Sequence, residues 1–321
     1  MDRIVVTVGP LEAASADAIA VSQTAPSGNA LALTGTLTFG ASDDNIAEAQ
    51  SLAGADDVDL DGDTFSNGAA RFAPASVQII SAGDDSGITF TVVGFTYAPG
   101  PFAGPITIVE TVAGANASRV ATRSIFHGIT RVTASGATAS TISIGTSGVA
   151  ILDKPRRVLL SFDADESAQT FTVKGTNWDN IPISEDVPGT ASEAVTLSDF
   201  ATVTGVWVSD ATAGAVTVGT NSVASSRPIF LDRFCNAPTA LQVDVSGTAN
   251  YTVQQSLNDP NGPAGYTGVN WINHPDGQLA GATASAQGNY AYIPNVCRIV
   301  LNSGSGSVTF TILQASSVVV N

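Results

Sequence analysis

The chain has 321 residues, of which 12 are Lys or Arg and 28 are Asp or Glu, so its formal net charge is −16. This negative charge repels phosphate backbones and anionic lipid headgroups, which argues against nucleic acid and membrane surfaces as partners. The hydrophobic share of 44% is that of a globular protein, and the length predicts two to four domains.

No window approaches the roughly 18 apolar residues that a transmembrane helix needs. The start, MDRIVVTVGP, lacks the charged leader and long apolar run of a secretory signal. We therefore expect a protein that folds in a cytosol.

The dominant sequence period is two residues, which is typical of strands buried on one face. In residues 33–39, threonines occupy one face, and Leu33, Leu37 and Phe39 occupy the other. The same alternation recurs in three further segments, residues 88–92, 171–174 and 308–312. We predict an all-β fold of tandem small β-sandwich or jelly-roll-like modules with little helix.

One segment of the N-terminal region favours helix. Asn45 is placed to cap the run IAEAQSLA, Glu48 completes a capping box, and Gly54 is placed to end the helix. We therefore predict one helix within an N-terminal β region of residues 1–75.

An acidic string, DVDLDGD, follows that predicted helix. Its four carboxylates are Asp57, Asp59, Asp61 and Asp63. Oxygen ligands at alternate positions, with Gly62 permitting a sharp turn, are what a calcium loop needs. The twelfth position, where a bidentate Glu should close the site, is Gly68. Two interpretations stay open: a Ca²⁺ site formed by these four carboxylates, and a solvated acidic turn without a cofactor.

A sequence repeat occupies the middle of the chain. SGATASTISIGT at residues 135–146 returns 74 residues later as SDATAGAVTVGT, and ITFTVVG at residues 88–94 returns as QTFTVKG at residues 169–175. Insertions fall between the matching pieces, as expected for loops that join strands held in register. We predict two β-repeats, residues 76–150 and 151–225, that need neighbours to cover part of their apolar surface.

The matching positions of the two copies indicate structural roles. Phe126 and Phe200 have the character of core anchors. Gly145 and Gly219 end the last strand of each copy, where a positive φ angle or a close backbone approach is expected. No nucleophile, base or metal ligand recurs between the matching pieces.

The stretch between the copies, residues 147–157, contains proline and a basic cluster. The cluster consists of Lys154, Arg156 and Arg157. We interpret it as a solvated linker; the alternative is a contact for an acidic partner. Residues 226–321 follow as a C-terminal β domain, with a hairpin at residues 297–314.

Few side chains suit nucleophilic or metal catalysis. Cys235 and Cys297 lack metal-type spacing and are predicted to be unpaired core thiols. His127 and His274 are the only histidines; we interpret the first as surface or loop decoration and the second as a turn residue. No G-x-S-x-G elbow and no phosphate loop are present. We predict that the chain is not an enzyme, although a glycosidase pair among its many carboxylates stays open.

The three tryptophans divide into two groups. Trp207 lies in an alternating strand and is expected to pack against a module or another subunit. Trp178 and Trp271 lie in loops and are candidate contacts for a sugar ring or a partner protein.

These pieces resemble virion structural proteins of tailed bacteriophages. The segment ITIVETVAGANASRVATRSIFHGITRVTASGATASTISIGT is similar to a module that recurs in phage structural genes. The segments ALQVDVSGTANYTVQQSLNDPN and CRIVLNSGSGSVTFTILQ are similar to another small β-domain of phage particles. The second copy departs from the pattern, with PGTASEAVT in place of AGANASRVAT.

The resemblance implies a virion component and supplies no catalytic residue. The leading expectation is a capsid decoration or cement protein that binds the major capsid protein, as a trimer or other symmetric homo-oligomer, in virions assembled in the host bacterial cytoplasm. The alternatives are a tail or head-to-tail connector component and a carbohydrate-binding tail-fibre or surface protein.

Overall fold

The computed structural model describes residues 2–25, 30–66, 68–97, 104–179, 181–232, 239–259 and 269–314. Nearly all of the regular secondary structure in these residues is β-strand, so the predicted all-β fold with little helix is confirmed. Within the described residues, no helix has the length and apolar character needed to cross a membrane.

The strands are numbered in chain order. The N-terminal segment contains β1 (Asp2–Val8), β2 (Ser15–Gln23), β3 (Ala30–Leu31), β4 (Thr38–Phe39), β5 (Ser42–Gln50), β6 (Phe65–Ser66) and β7 (Ala69–Ala75). The repeat region contains β8 (Val77–Ser81), β9 (Thr89–Tyr97), β10 (Pro105–Ala113), β11 (Arg119–Ala121), β12 (Phe126–Ala134), β13 (Ile142–Thr146), β14 (Val149–Phe162), β15 (Thr170–Thr176), β16 (Pro182–Pro188), β17 (Glu193–Val195), β18 (Phe200–Val208) and β19 (Val216–Ser225). The C-terminal part contains β20 (Ile229–Phe230), β21 (Thr239–Ser246), β22 (Asn250–Ser256), β23 (Ile272–Asn273), a 3-10 helix (Gly277–Leu279), β24 (Ala280–Ala282), β25 (Ala286–Tyr290), β26 (Val296–Ser303) and β27 (Ser307–Gln314).

These antiparallel strands form three β-sandwich units. Unit 1 stacks the sheet β10-β9-β12-β7-β6 on strands β11, β8, β13 and β5. Unit 2 stacks β16, β15, β18 and β3 on β17, β14, β19 and β2. Unit 3 stacks the sheet β1-β27-β21-β25 on β22, β26 and β20. Pairing of β3 with β11 joins units 1 and 2, and pairing of β19 with β26 joins units 2 and 3.

Each sandwich encloses its own hydrophobic core. In unit 1, Phe90 and Phe126 from one sheet meet Ile46, Ile79 and Ile144 from the other, all without solvent exposure. Because side chains alternate between the two faces of a strand, alternate residues of regular strands such as β9 point into the core, whereas the irregular pairing of β5 places both Ile46 and Ala47 there.

The two sequence copies fold alike. Strands β8 to β13 of unit 1 correspond to β14 to β19 of unit 2, and the predicted core anchors Phe126 and Phe200 are both fully buried. Glu110 accepts hydrogen bonds from two consecutive backbone N–H groups of the β11–β12 loop, and Glu185 does the same for the β17–β18 loop. The repeat therefore preserves loop capping as well as core packing.

The N-terminal segment supplies strands to all three units, in reverse order along the chain. β1 pairs with β27, β2 with β19, and β5 with β13. Correspondingly, Val8 lies in the core of unit 3, Ile19 in that of unit 2 and Ile46 in that of unit 1. The boundaries predicted at residues 75, 150 and 225 stay a prediction about independent folding.

A second, shorter sequence repeat explains why the N-terminal segment supplies one strand to unit 1 and one to unit 2. SADAIAVSQ of β2 and SDDNIAEAQ of β5 are identical at five of nine positions. Their registers also agree, since Ala20 lies opposite Val218 while Ala47 lies opposite Ile144. Each copy of the longer repeat is therefore completed by its own N-terminal strand.

The helix predicted from Asn45 onward is wrong, because these residues form β5. The Asn45 side chain bonds Thr146, with Nδ2 donating to Oγ1 at 3.1 Å and Oδ1 accepting the backbone N–H at 3.0 Å. Ile46 and Ala47 are fully buried in the core of unit 1. Strand pairing and burial outweigh a helix propensity that differs by only a few tenths of a kcal/mol, roughly, between residue types.

The interpretation of residues 147–157 as a solvated linker is also wrong, because most of them belong to β14. Arg156 is only 1% exposed. Its guanidinium donates to the carbonyl oxygens of Asn221 and Glu12, and to Asp153 Oδ1 at 2.9 Å. These bonds allow a cation to lie at the junction of the units without an unsatisfied buried charge.

Candidate functional site

A cavity of about 310 Å³ lies between units 2 and 3. Its polar and aromatic lining includes Arg157, Asn177, Trp178, Asp199, Trp271 and Arg298. The two loop tryptophans that the sequence analysis marked as candidate contacts thus line one cavity, although they lie far apart along the chain. Pockets at junctions between folded units are common ligand sites.

The indole rings on the wall of this cavity are held by defined contacts. The Arg298 guanidinium lies over the Trp271 ring, 4.2 Å from its centroid, and Arg298 Nε donates to Gln254 Oε1 at 2.9 Å. Trp178 Nε1 donates to the carbonyl oxygen of Ser225 at 3.2 Å. Both rings therefore have fixed orientations, and Trp271 takes part in a cation–π interaction.

A buried carboxylate, Asp199, lies at the same cavity and is 2% exposed. Its Oδ2 accepts a short hydrogen bond from Ser225 Oγ, which lies 3.5 Å from Arg298 Nη1. Burial raises the pKa of Asp199, and the positive charges of Arg298 and Arg157 oppose this rise. Burial also lowers the pKa of Arg298 to about 10, against the opposing effect of Asp199. The first copy has Ile125 where unit 2 has Asp199.

Three polar atoms at this cavity have no hydrogen-bond partner among the described residues: Asp199 Oδ1, Asn177 Nδ2 and Arg157 Nε. Asn177 is 1% exposed, and its Oδ1 accepts the backbone N–H groups of Asp179 at 2.9 Å and Ile181 at 3.0 Å. These bonds orient the amide so that Nδ2 remains as a donor. All three atoms have almost no accessible surface, so they are unpaired polar groups buried within the cavity wall.

The acidic string of the sequence analysis lies elsewhere, in unit 1. Its four side chains are exposed, while Val58 and Leu60 between them are buried in the core. Asp57 Oδ1 accepts from Thr133 Oγ1 at 2.7 Å, and Asp61 Oδ1 accepts the backbone N–H of Glu48 at 2.8 Å. In the described part of the chain, no group of three or more His, Cys, Asp or Glu side chains is placed to hold a metal ion.

A segment of unit 2 that contains no carboxylate makes the same backbone hydrogen bonds as the acidic string of unit 1. The backbone N–H of Ala32 donates to Gln23 Oε1 at 2.8 Å, and that of Asp59 donates to Gln50 Oε1 at 2.9 Å. Similarly, the backbone N–H of Gly35 donates to the carbonyl oxygen of Ile19 in β2, and that of Gly62 donates to the carbonyl oxygen of Ile46 in β5. This equivalence favours the solvated acidic turn, and the Ca²⁺ site of Asp57, Asp59, Asp61 and Asp63 stays a hypothesis.

The two histidines have structural contacts. His127 lies half-buried in β12, with Nδ1 3.1 Å from Thr96 Oγ1, so it is a strand residue and not part of a loop. His274 is buried, and its Nδ1 accepts the backbone N–H of Asp276 at 3.1 Å, which agrees with its interpretation as a turn residue.

Cys297 and Trp207 lie in the environments that the sequence predicts for them. Cys297 is a buried free thiol, and burial raises its pKa to about 12. Cys235 lies outside the described residues. Trp207 packs against Ala30 and Ala121, at the junction of units 1 and 2, as expected for a tryptophan that packs between modules.

The polar half of the cavity is not predicted by the sequence pattern. No motif indicates Asp199, Asn177 or Arg298, and the proline and charges around Arg157 favour a linker there. Two signals were available: an Asp at a position where the other copy has Ile125, and an Arg inside the apolar run CRIVL. Charged residues at otherwise apolar positions are rarely buried without a partner or a role.

Comparison of this chain with protein-family descriptions, curated proteins and solved structures finds no match. Functional inference therefore depends on the geometry described above and on the sequence resemblance.

We expect an Asp199→Asn variant to differ from the wild type in how stability depends on pH. Because burial holds the pKa of Asp199 above its unfolded value, the folded protein binds this proton more tightly than the unfolded chain does. Relative to the amide, the carboxyl should therefore stabilise the protein most at acidic pH, and this advantage should be lost as pH rises through the folded pKa. Melting temperatures of both proteins across this range measure the effect.

The groups that act on this carboxyl are Ser225, Arg298, Arg157 and Glu185. All of them are retained in the variant, so the difference between the two melting curves isolates residue 199. Asp63→Asn, at an exposed turn of unit 1, is the matched control for exchanging a carboxylate for an amide. A gap between wild type and Asp199→Asn that stays constant with pH would contradict the expectation.

Proposed function

We propose that this chain is a structural protein of a bacteriophage virion, a capsid decoration or cement protein that binds the major capsid protein and stabilises the head. It acts as a trimer or other symmetric homo-oligomer. Support comes from the resemblance to phage virion modules and from a fold in which one N-terminal segment ties three β-sandwiches together. No catalytic role is part of this proposal.

The observation that carries the proposal is an open sheet edge in unit 1. β10 is nine residues long, and in the described residues β9 is its only strand partner. Its Ile106 is 49% exposed and its Val109 is 62% exposed. A strand whose outer edge has no strand partner among the described residues, and whose apolar side chains are exposed, is suited to pairing with a strand of another subunit.

The equivalent edge of unit 2 is different. β16 has the sequence PISEDVP, with Pro182 and Pro188 at its two ends, whereas β10 has a proline only at its first residue. β16 also carries the exposed Asp186 at the position equivalent to Thr111 of β10. Prolines lack a backbone donor, and charges on an edge oppose pairing with another chain. The repeat therefore has one edge open to a partner and one protected edge.

Particle composition tests the virion role. Quantitative mass spectrometry of purified particles should find this protein on the order of hundreds of copies, in a fixed ratio to the major capsid protein, as icosahedral symmetry requires. About a dozen copies or fewer would instead favour a tail or connector component, and absence from particles would refute the virion role.

We expect Val109→Lys to weaken attachment to particles by about tenfold or more, because pairing at this edge would desolvate the new charge. Cosedimentation with particles that lack the protein measures the effect. Ser184→Lys is the matched control, since Ser184 occupies the equivalent position on the protected edge, and it should attach normally. Equal effects of both substitutions, or no effect of either, would show that β10 is not the attachment edge.

A further inference from the structure

A second cavity, of about 270 Å³, lies where the C-terminal end of β1 meets unit 2. Four consecutive residues at this end, numbers 6–9, line it. Val6 and Val8 pack on the core of unit 3. Thr7 points to the opposite face of the sheet, where its Oγ1 lies 3.0 Å from Thr309 Oγ1. Because the cavity contacts residues of both faces, it lies along the edge of the strand.

One edge of β1 is open in the part of the chain that the structure describes. All seven residues of β1 pair with β27, and β1 has no second strand partner there. The sequence of β1, DRIVVTV, contains no proline, and its Val5 is 46% exposed. An edge strand with so little protection is suited to pairing with another extended segment. β1 therefore offers a template for one added strand, with the cavity at its C-terminal end.

Two cations at this cavity indicate the charge of the added segment. Lys154 and Arg227 both line the cavity and are exposed, and neither forms an ion pair with a described residue. Among the described residues, no acidic side chain lines the cavity. In a chain of net charge −16, two accessible cations without a carboxylate partner favour an acidic segment by electrostatic complementarity. Lys154 is also the exposed member of the basic cluster for which the sequence left an acidic partner open.

The remaining wall of the cavity is largely apolar and is held in place by the protein itself. Pro155 and Trp178 line it, and Trp178 Nε1 donates to the carbonyl oxygen of Ser225, which fixes the indole ring. The hydroxyl of Ser226 donates to the carbonyl oxygen of Arg227 at 3.0 Å. A volume of about 270 Å³ is smaller than most ligand pockets and suits one apolar side chain.

We propose that an extended acidic segment of a partner polypeptide adds to β1 as a further strand. One apolar side chain of this segment enters the cavity against Trp178, and a carboxylate of the same segment pairs with Lys154 and Arg227. Backbone hydrogen bonds supply affinity, while the cavity and the two cations select the sequence. This inference goes beyond the virion role and is independent of the β10 edge, because it depends only on β1 and its junction with unit 2.

Selection from a displayed library of random short peptides, with the full chain immobilised, tests the proposal. Enriched peptides should combine alternating apolar residues with Asp or Glu. A synthetic peptide of the enriched sequence should bind saturably in calorimetric titration, and its binding should slow hydrogen exchange of the β1 amides that face away from β27. Enrichment of neutral or basic peptides, failure to enrich any peptide, or unchanged exchange in β1 would overturn the proposal.

Charge variants locate the binding to this cavity. Lys154→Glu combined with Arg227→Glu should weaken the peptide by about tenfold or more, because both positions then repel its carboxylate. Lys154→Gln combined with Arg227→Gln removes the attraction without adding repulsion and should weaken it less. Arg131→Glu is the matched control, since Arg131 is an exposed cation of unit 1, and it should bind normally. Unchanged affinity in the folded double Glu variant, or equal weakening by Arg131→Glu, would overturn the proposal.

Discussion

A chain that begins at residue 26 is expected to lose the native structure of units 2 and 3, and a peptide of residues 1–25 is expected to restore it. The deletion removes β1 and β2, which are the partners of β27 and β19. It therefore leaves two strands with unpaired edges and opens two cores. Unit 1 keeps β5, so its native signals should survive.

The size of the effect follows from what the two strands bury. Ile19 is fully buried in unit 2, and Val8 is 5% exposed in unit 3. Each large apolar side chain of this kind contributes about 1.5 to 3 kcal/mol on burial. Together with the lost strand pairing, the expected loss is about 5 kcal/mol or more, a large fraction of the roughly 5 to 15 kcal/mol that stabilises a typical domain.

Near-ultraviolet circular dichroism and size-exclusion chromatography measure this outcome. Adding the peptide of residues 1–25 to the truncated chain should recover the native spectrum, because strand addition restores both edges and both cores. A peptide with Ile19→Asp should fail, whereas the matched change at the partly exposed Val21 should be tolerated better. A truncated chain that melts as the full chain does would show that the N-terminal strands are dispensable.

The fold class and the longer repeat could be predicted because both depend on local pattern. Alternation with period two indicates strands wherever one face is buried, and matched positions such as Phe126 and Phe200 keep equivalent core roles in both copies. Glycosidic or metal chemistry has no comparable local signature here. The acidic string shows the difficulty, since Gly62 and its neighbours satisfy part of a calcium motif while their backbone matches a segment of unit 2 without carboxylates.

The pairing of β1, β2 and β5 with strands far along the chain could not be predicted from the two-residue period of the sequence. Which strand pairs with which depends on long-range contacts, and a helical pattern from Asn45 was locally as plausible as a strand. The sequence similarity between β2 and β5 was the one signal that two equivalent strands complete two equivalent units. The cavity could not be predicted for the same reason. Asp199 and Arg298 belong to different units, which come together where β19 pairs with β26.

Replacing Gly219 or Gly145 by alanine is expected to destabilise unit 2 or unit 1, respectively, by about 3 kcal/mol or more. Neither glycine has a positive φ angle, so close approach of the backbone is the reason for glycine at both positions. A Cβ atom at Gly219 would lie 1.8 Å from the carbonyl oxygen of Ser15, and one at Gly145 would lie 1.8 Å from that of Ser42. Since these contacts are to backbone, the methyl group can be accommodated only if β2 or β5 moves away from its partner.

Chemical denaturation measures the loss of stability, and hydrogen exchange of the β2 or β5 amides locates it. Gly136→Ala is the control, because a Cβ atom there would meet no other atom within 4 Å. Loosening confined to β2 in Gly219→Ala, and to β5 in Gly145→Ala, would demonstrate that each repeat is closed by its own N-terminal strand. Exchange that rises evenly over the whole chain would instead mean that the three units unfold together. If Gly219→Ala and Gly145→Ala were as stable as the wild type, the strands would tolerate a wider spacing than this backbone approach implies.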